Sequence, residues 1–179
     1  MQSVGFKEWA LVCEALGEGR QRVIIRKGGI AEERDGFAFK HREFFLFPTF
    51  FHEQLDRVRE PNGVENVAQL CKLRSEQVEN LPHTAEIEIR YFARVEEARV
   101  MTDWEEVCAL EPLHILRQSV VRERFEYDES PGVHVAFVDV FRLDPIWRFP
   151  DSKSYGGCRS WVDLPALPAE SQLQPVRSR

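Results

Sequence analysis

Complete catalytic motifs are missing from this sequence of 179 residues. It contains no G-x-S-x-G nucleophile elbow, no P-loop and no G-x-G-x-x-G dinucleotide fingerprint. A metalloprotease motif is incomplete, because Asp56 stands where the second histidine of H-E-x-x-H would follow His52 and Glu53. The sequence by itself therefore assigns no reaction to the protein.

Cysteine is sparse, and its four positions lie far apart: Cys13, Cys71, Cys108 and Cys158. No C-x-x-C pair occurs, which argues against a zinc knuckle and against a dithiol redox motif. We expect four reduced thiols, no metal site and no cofactor.

Long apolar runs are also missing. None approaches the roughly 20 residues of a membrane-spanning helix, and the first residues, MQSVGFKEW, contain no apolar signal core. We therefore expect a cytoplasmic protein that has no membrane partner.

Positive charge is not in excess, since the formal net charge is −6. A protein that coats nucleic acid without specificity is normally basic, so this balance argues against that class. It leaves room for a local basic cleft, because charges are screened beyond about 8 Å at physiological ionic strength.

Short strand-like runs separated by turn signals make up most of the chain. Such runs predict strands of a single sheet at residues 23–26, 44–47, 87–91 and 135–141, the second of them buried on both faces. Apolar residues at helical spacing predict a helix over residues 6–16, with Glu8 on its polar side. The elements do not alternate strand with helix. Their order therefore predicts an α+β fold, whose mostly antiparallel sheet curls into a small β-barrel with flanking helices.

Composition divides the chain into one domain and a tail. We expect a single α+β domain over residues 1–164, with a surface excursion at residues 57–82. Residues 165–179 are rich in proline, serine and glutamine, which predicts a disordered tail.

The candidate site lies in and around residues 20–53, a stretch that holds seven of the thirteen phenylalanines and many cations. Two apolar runs in this stretch end in polar residues, which is a common way to build a binding site. Guanidinium groups beside accessible backbone amides bind phosphate or carboxylate, so we predict an anion-binding site here. The predicted site residues are Arg26, Lys27, Gly28, Gly29, His41, Arg42, Thr49, His52 and Arg159.

The alternative interpretation of these cations is a solvated charged edge. Three carboxylates between residues 32 and 35 lie close in sequence and would neutralise such an edge. The anion-site hypothesis makes the sharper statement, which is that Arg26, Lys27 and Arg42 line one cleft.

Four runs of residues resemble a known bacterial and cyanobacterial family, the domain of unknown function 1802. The runs are KEWALVCEAL, RVIIRKGGI, FFLFPTFFHEQ and YGGCRSWVDL, and the resemblance extends to about Leu164. That family has no assigned activity. Some of its members look linked to restriction-nuclease-like domains, which implies a nucleic-acid context.

A weaker resemblance is to the ASCH and PUA-like group of small β-barrels. In that group a helix precedes a strand with a basic end, as residues 19–27 suggest here. A later strand of the group carries an apolar run that ends near proline, as residues 140–146 do here. The resemblance implies a PUA-like β-barrel similar to modules that bind RNA or a modified base.

Three functions stay open from the sequence. The first is a binding module with a basic cleft for a nucleic acid or a nucleotide-like anion. The second is a hydrolase acting on a phosphorylated small molecule, which a carboxylate or thiol close to Arg26 would favour. The third is a protein–protein accessory factor, linked to restriction or defence, which a contiguous apolar surface patch would favour.

Overall fold

The computed structural model describes residues 3–27, 38–59, 86–127, 129–157 and 159–177. Seven strands and three α-helices occupy these ranges. The strands are β1 (Val4–Trp9), β2 (Val23–Arg26), β3 (Glu43–Thr49), β4 (Glu86–Met101), β5 (Val133–Pro150), β6 (Trp161–Asp163) and β7 (Gln172–Pro175). The helices are α1 (Ala10–Gly17), α2 (Trp104–Cys108) and α3 (Gln118–Phe125), and single 3-10 turns lie at His52–Arg57, Glu111–Leu113 and Lys153–Tyr155.

The seven strands form one sheet in the order β2-β5-β4-β3-β1-β6, with β7 paired to β5. Every described pair is antiparallel except β1 with β3, which run parallel. The α+β class, the mostly antiparallel sheet and the placement of the four predicted strands in one sheet are confirmed.

The predicted barrel is wrong, because the sheet is not closed. Its path ends at β2 on one side and at β6 on the other, and no backbone ladder joins these two strands in the described ranges. The two strands have only four and three residues. Such short edges offer few backbone groups for a closing ladder, and a side-chain contact described below joins them instead.

The helix predicted over residues 6–16 begins later than expected. Residues Val4–Trp9 form β1, which lies between β3 and β6, and α1 starts only at Ala10. Pairing on both sides overrides the helical spacing, since a central strand satisfies its backbone groups through its neighbours. As a consequence Glu8, expected on the polar side of a helix, is only 1% exposed.

Strand β3 is buried on both faces, as its unbroken apolar run predicts. Phe44 and Leu46 belong to the hydrophobic cluster that contains α1, whereas Phe45 and Phe47 belong to a second cluster. Full burial of one such side chain contributes about 1.5–3 kcal/mol. This packing fixes β3, and therefore the parallel strand β1 that carries the central residue of the site.

The disordered tail predicted at residues 165–179 is wrong for its central part. Gln172–Pro175 form β7, antiparallel to β5, with Leu173 opposite Leu143. Leu173 also packs against the second hydrophobic cluster, and this single apolar anchor is hidden in a composition of proline, serine and glutamine. Most of the excursion predicted at residues 57–82 lies outside the described residues, as do Cys71 and Cys158.

Candidate anion-binding site

The central feature of the site is a buried carboxylate near the end of β1. Glu8 is 1% exposed, and its Oε1 accepts the backbone N–H of Trp9 at 2.8 Å. Its main-chain carbonyl accepts the hydroxyl of Thr49 at 3.0 Å, because the parallel pairing aligns the ends of β1 and β3. A buried carboxylate is costly unless donors or cations surround it, so its neighbours decide what the site can hold.

Arg26, the last residue of β2, brings the first positive charge. Its Nη1 lies 3.9 Å from Oε2 of Glu8, and its Nη2 donates to Oγ of Ser160 at 2.8 Å. Its guanidinium carbon lies 5.2 Å from the ring centroid of Phe6. Since β2 and β6 are the two ends of the sheet path, and Ser160 directly precedes β6, the Arg26 side chain joins those ends.

Arg124 on α3 brings the second positive charge. Its Nη1 donates to the carbonyl of Ile25, and its guanidinium carbon lies 4.7 Å from the ring centroid of Trp9. Burial lowers the pKa of Arg124 to about 10, while the charge of Glu8 opposes this shift and the charge of Arg26 adds to it. The Arg124 guanidinium therefore stays charged at neutral pH and within electrostatic range of both side chains.

Four residues make up what we call the arginine cluster: Glu8, Arg26, Arg124 and Ser160. Two guanidinium groups and one carboxylate leave it with one positive charge in excess. Next to it, Arg57 and Glu123 form an ion pair at 2.9 Å and cancel each other. Lys27 adds a further cation, and its Nζ packs on the ring of Tyr127. A positive surplus in partly desolvated surroundings favours an anion.

An aromatic pair borders the arginine cluster. Trp9 and Phe51 pack edge to face with ring centroids 5.3 Å apart, and both side chains are half-buried. Phe51 directly precedes the 3-10 turn at residues 52–57. Within that turn, Gln54 accepts a backbone N–H of α1 at 3.1 Å and so fixes the turn against the helix. The aromatic surface is thereby held next to Arg124.

A second basic surface lies at the start of β3. It is a cleft of about 510 Å³, which we call the basic cleft. Its lining residues are Lys40, His41, Arg42, Glu43, Arg94 and Val95. Glu43 is ion-paired with Arg94 at 2.9 Å, so basic groups outnumber acidic groups in the lining.

A row of aromatic rings connects the two surfaces. The imidazole of His41 lies 4.9 Å from the ring of Trp161, measured between centroids, and the ring of Trp161 lies 4.8 Å from that of Phe6. Phe6 in turn carries the guanidinium of Arg26. The arginine cluster and the basic cleft are therefore neighbours, although Arg26 is not among the described residues that line the cleft.

The whole chain, and not only this site, matches a known family. A family model described as a domain of unknown function (DUF1802) covers residues 5–179. The chain belongs to the DUF1802 family. The resemblance predicted from its four sequence runs is thereby confirmed, and no curated protein matches this DUF1802 chain.

Solved structures of distant proteins share the fold of the DUF1802 chain. The crystal structure of ASCH from Zymomonas mobilis is similar, with 12% identity, a TM-score of 0.50 and coverage of 92% of this chain and 88% of that chain. Two single-residue variants of that protein, titled ZmASCH, have 11% and 12% identity and TM-scores of 0.51 and 0.50, over 92% of this chain and 89% and 91% of theirs. At this identity the likeness shows the fold, and it confirms the predicted ASCH likeness at that level.

Four of the nine predicted site residues lie around the arginine cluster of the DUF1802 chain. Arg26 and Lys27 are at the end of β2, and Thr49 is the last residue of β3, bonded to the Glu8 carbonyl. Arg159 is exposed and directly precedes the cluster residue Ser160. Their role in binding an anion stays a prediction.

The other predicted residues lie elsewhere or are not described. His41 and Arg42 line the basic cleft, so Arg42 is separated from the surface that carries Arg26. Gly28 and Gly29 lie outside the described residues, and only the backbone of His52, which begins the 3-10 turn, is described.

Sequence reasoning missed three members of the arginine cluster. Glu8 had a usable signal, because Val4, Phe6 and Glu8 follow a period of two and all three are buried. Arg124 and Ser160 have no comparable signal, since α3 and the segment before β6 reach Glu8 only through tertiary packing.

Within the described ranges of the DUF1802 chain, His, Cys, Asp and Glu side chains do not gather in groups of three or more that could hold a metal ion. In the same ranges, no helix combines the length and the apolar character of a membrane span.

Proposed function

We propose that this protein is a binding module for a phosphate-bearing ligand, either a nucleic acid or a nucleotide-like anion. The observation that carries the proposal is the charge balance around Glu8, where one buried carboxylate lies against two guanidinium groups. The Arg26 side chain is 23% exposed, so an anion from solvent can reach the surplus charge.

Phosphate chemistry matches the donors of the arginine cluster. A guanidinium group offers several N–H donors in a planar fork, which suits the oxygens of a phosphate. The hydroxyl of Ser160 lies 2.8 Å from the Arg26 guanidinium and supplies another polar group at the same point. One hydrogen bond to a charged partner contributes about 1.5–3 kcal/mol, so two or three of them give useful affinity.

A nucleotide is favoured over an isolated phosphate by the aromatic pair. Trp9 and Phe51 are both half-buried beside Arg124 and therefore present ring surface to solvent. Stacking of a base on such a ring contributes about 1–3 kcal/mol. The resemblance to ASCH and PUA-like modules, which implies RNA or modified-base binding, supports the same ligand class.

The test compares wild type with Arg26→Ala by fluorescence anisotropy, using short labelled RNA and DNA at two salt concentrations. Loss of the Arg26 contact should weaken binding by about tenfold or more. Affinity for either strand should fall as salt rises, because neutralised phosphates release counterions. Arg26→Lys should recover only part of the loss, since an ammonium keeps the charge but not the fork.

Arg148→Ala provides the matched control. Arg148 also pairs with a carboxylate, Glu88 at 2.9 Å, but stands near the end of β5 opposite to the end that pairs with Arg26. Binding should be unchanged in this variant. Affinity at low salt that does not depend on Arg26 would contradict the proposal.

Glu8 is the observation that favours a second candidate function, a hydrolase acting on a phosphorylated small molecule. Its carboxylate lies 3.9 Å from the arginine that would hold the phosphate, which is within reach of a general acid or base for a neighbouring bond. The assay is phosphate release from p-nitrophenyl phosphate and from nucleoside monophosphates. Hydrolysis that Glu8→Gln abolishes in a folded variant would favour the enzyme, whereas binding without release favours the binding module.

The accessory-factor alternative gains no such support from the described residues. Their large exposed apolar side chains are Val100 and Tyr127. Two side chains do not form a patch of the several hundred Å² that marks a protein-binding surface.

A further inference from the structure

We infer that the ligand is a single strand of nucleic acid several nucleotides long, which occupies the arginine cluster and the basic cleft together. This inference rests on the proposed function and names the ligand of the same site. A mononucleotide would fill the arginine cluster alone and would leave the basic cleft without a role.

The basic cleft has the charge that a second phosphate group requires. Its lining contains Lys40, Arg42 and Arg94 against the single carboxylate of Glu43. Glu43 is already ion-paired with Arg94 at 2.9 Å, so the remaining lining charge is positive. In an otherwise acidic protein, with a net charge of −6, such a local surplus marks a place where an anion is favoured.

The walls of the basic cleft are built from paired backbone. The carbonyl of Arg42 accepts the N–H of Val95 at 2.8 Å, and Glu43 stands opposite Arg94 in the ladder between β3 and β4. The cleft therefore keeps its shape without a ligand, which lowers the entropic cost of binding. Its volume of about 510 Å³ is in the usual range of pockets for small molecules, and is enough for one nucleotide unit.

The path between the two surfaces fits a strand rather than a duplex. Steps of 5.2, 4.8 and 4.9 Å lead from the Arg26 guanidinium over the rings of Phe6 and Trp161 to the imidazole of His41. At about 3.4 Å of rise per nucleotide in a stacked strand, this path corresponds to at most about four nucleotides. Partly exposed rings between cationic groups are typical of proteins that stack unpaired bases, whose faces a duplex conceals.

The experiment is a length series by isothermal titration calorimetry. The ligands are uridine monophosphate and uridine oligonucleotides of two, four and eight residues, each as RNA and as DNA. Affinity should rise about tenfold or more between the monophosphate and the four-residue strand, and should change little beyond it. An eight-base-pair duplex should bind more weakly than the eight-residue strand.

The double variant Lys40→Ala, Arg42→Ala assigns this rise to the basic cleft. It should abolish most of the gain with length and leave the affinity for uridine monophosphate unchanged. The slope of log K against log salt should become shallower by about 1.4, because two phosphate contacts on a single strand are lost. Arg26→Ala should instead weaken every ligand of the series, and Arg148→Ala should weaken none.

The possible failures separate the inference from the proposed function. If the monophosphate binds through Arg26 but longer strands bind no tighter, the two-surface strand is wrong and the proposed function stands. A gain with length that survives the double variant would also overturn the role of the basic cleft. If neither the monophosphate nor any strand binds at low salt, the proposed function itself fails.

Discussion

Arg26 donates a hydrogen bond from its Nη2 to the hydroxyl of Ser160 at 2.8 Å, across 134 positions of sequence. The bond joins the two ends of the sheet, since Arg26 ends β2 and Ser160 precedes β6. The same guanidinium lies 3.9 Å from Glu8 near the end of β1. Three strands therefore meet at one charged group, so that a change at this group affects both the stability of the fold and the proposed ligand site.

The charges of the arginine cluster should contribute unequally to stability. Glu8→Gln leaves two guanidinium groups without their shared counter-charge, and we expect the free energy of unfolding to fall by about 3–5 kcal/mol. Arg26→Gln leaves Glu8 beside Arg124, so we expect a smaller loss of about 1–3 kcal/mol. Urea unfolding followed by far-UV circular dichroism measures both changes.

The double variant separates the pair from its members. Because Glu8 and Arg26 contact each other, the loss in Glu8→Gln, Arg26→Gln should be smaller than the sum of the single losses. Arg148→Gln breaks an exposed pair with Glu88 and should change the free energy of unfolding by less than about 1 kcal/mol. A Glu8→Gln variant as stable as Arg26→Gln would contradict the charge balance on which the proposed function depends.

Several strands could be predicted from the sequence because their signals are local. The β-branched run of β2 and the phenylalanine run of β3 form strands at the predicted positions. The end of the chain shows the limit of this reasoning. There, Leu173 pairs opposite Leu143 and packs on a distant cluster, so the strand depends on partners that composition does not reveal.

The site could be predicted only in part, for a similar reason. Arg26 is recognisable as a cation at the end of an apolar run, whereas Glu8 lies in a segment that fits both the helical and the strand period. Arg124 reaches the carbonyl of Ile25 across 99 positions. Only the packing of α3 against β1 and β2 brings these charges together, and no spacing in the sequence encodes that contact.

Gly17→Ala should destabilise the protein through a steric overlap. A Cβ at Gly17 would overlap the ring of Tyr91, whose hydroxyl donates to Oε2 of Glu14 at 2.7 Å and so holds the ring in place. Alanine gains about 0.5–1 kcal/mol in helix propensity, but overpacking costs about 1–3 kcal/mol. We therefore expect a net loss of about 1–2 kcal/mol in urea unfolding.

The Tyr91→Leu background tests this cause. With the ring removed, the further change Gly17→Ala should cost little or should stabilise α1 through its propensity. An equal loss in both backgrounds would show that the backbone of Gly17, and not the ring of Tyr91, sets the cost.

The two described cysteines should differ in reactivity. Burial raises the pKa of the Cys13 thiol, and the nearby carboxylates of Glu8 and Glu14 raise it further. Cys108 is only partly buried. Because the thiolate is the reactive form, N-ethylmaleimide should modify Cys108 in the folded protein and should modify Cys13 only after unfolding. Site-resolved mass spectrometry measures this, and rapid modification of Cys13 in the folded state would contradict it.

The stability of the protein should fall with pH through the titration of His114. Burial lowers the pKa of His114 to about 4, and the positive charge of Arg59 adds to the shift. In the unfolded chain the pKa returns to about 6.5. Between these values the unfolded state binds the proton and the folded state does not, so acid favours unfolding. The contribution of His114 is fully present above about pH 6.5 and is lost progressively down to about pH 4, by at most about 3 kcal/mol.

His114→Asn isolates this contribution. The Nδ1 of His114 accepts the backbone N–H of Leu116 at 3.1 Å, and an asparagine side chain can accept the same bond without titrating. His134, whose pKa burial also lowers, acts in the same direction and is present in both proteins. Urea unfolding at pH 7 and pH 5 should therefore show a smaller loss of stability in the variant than in wild type. Equal losses in the two proteins would mean that His114 does not carry the pH dependence.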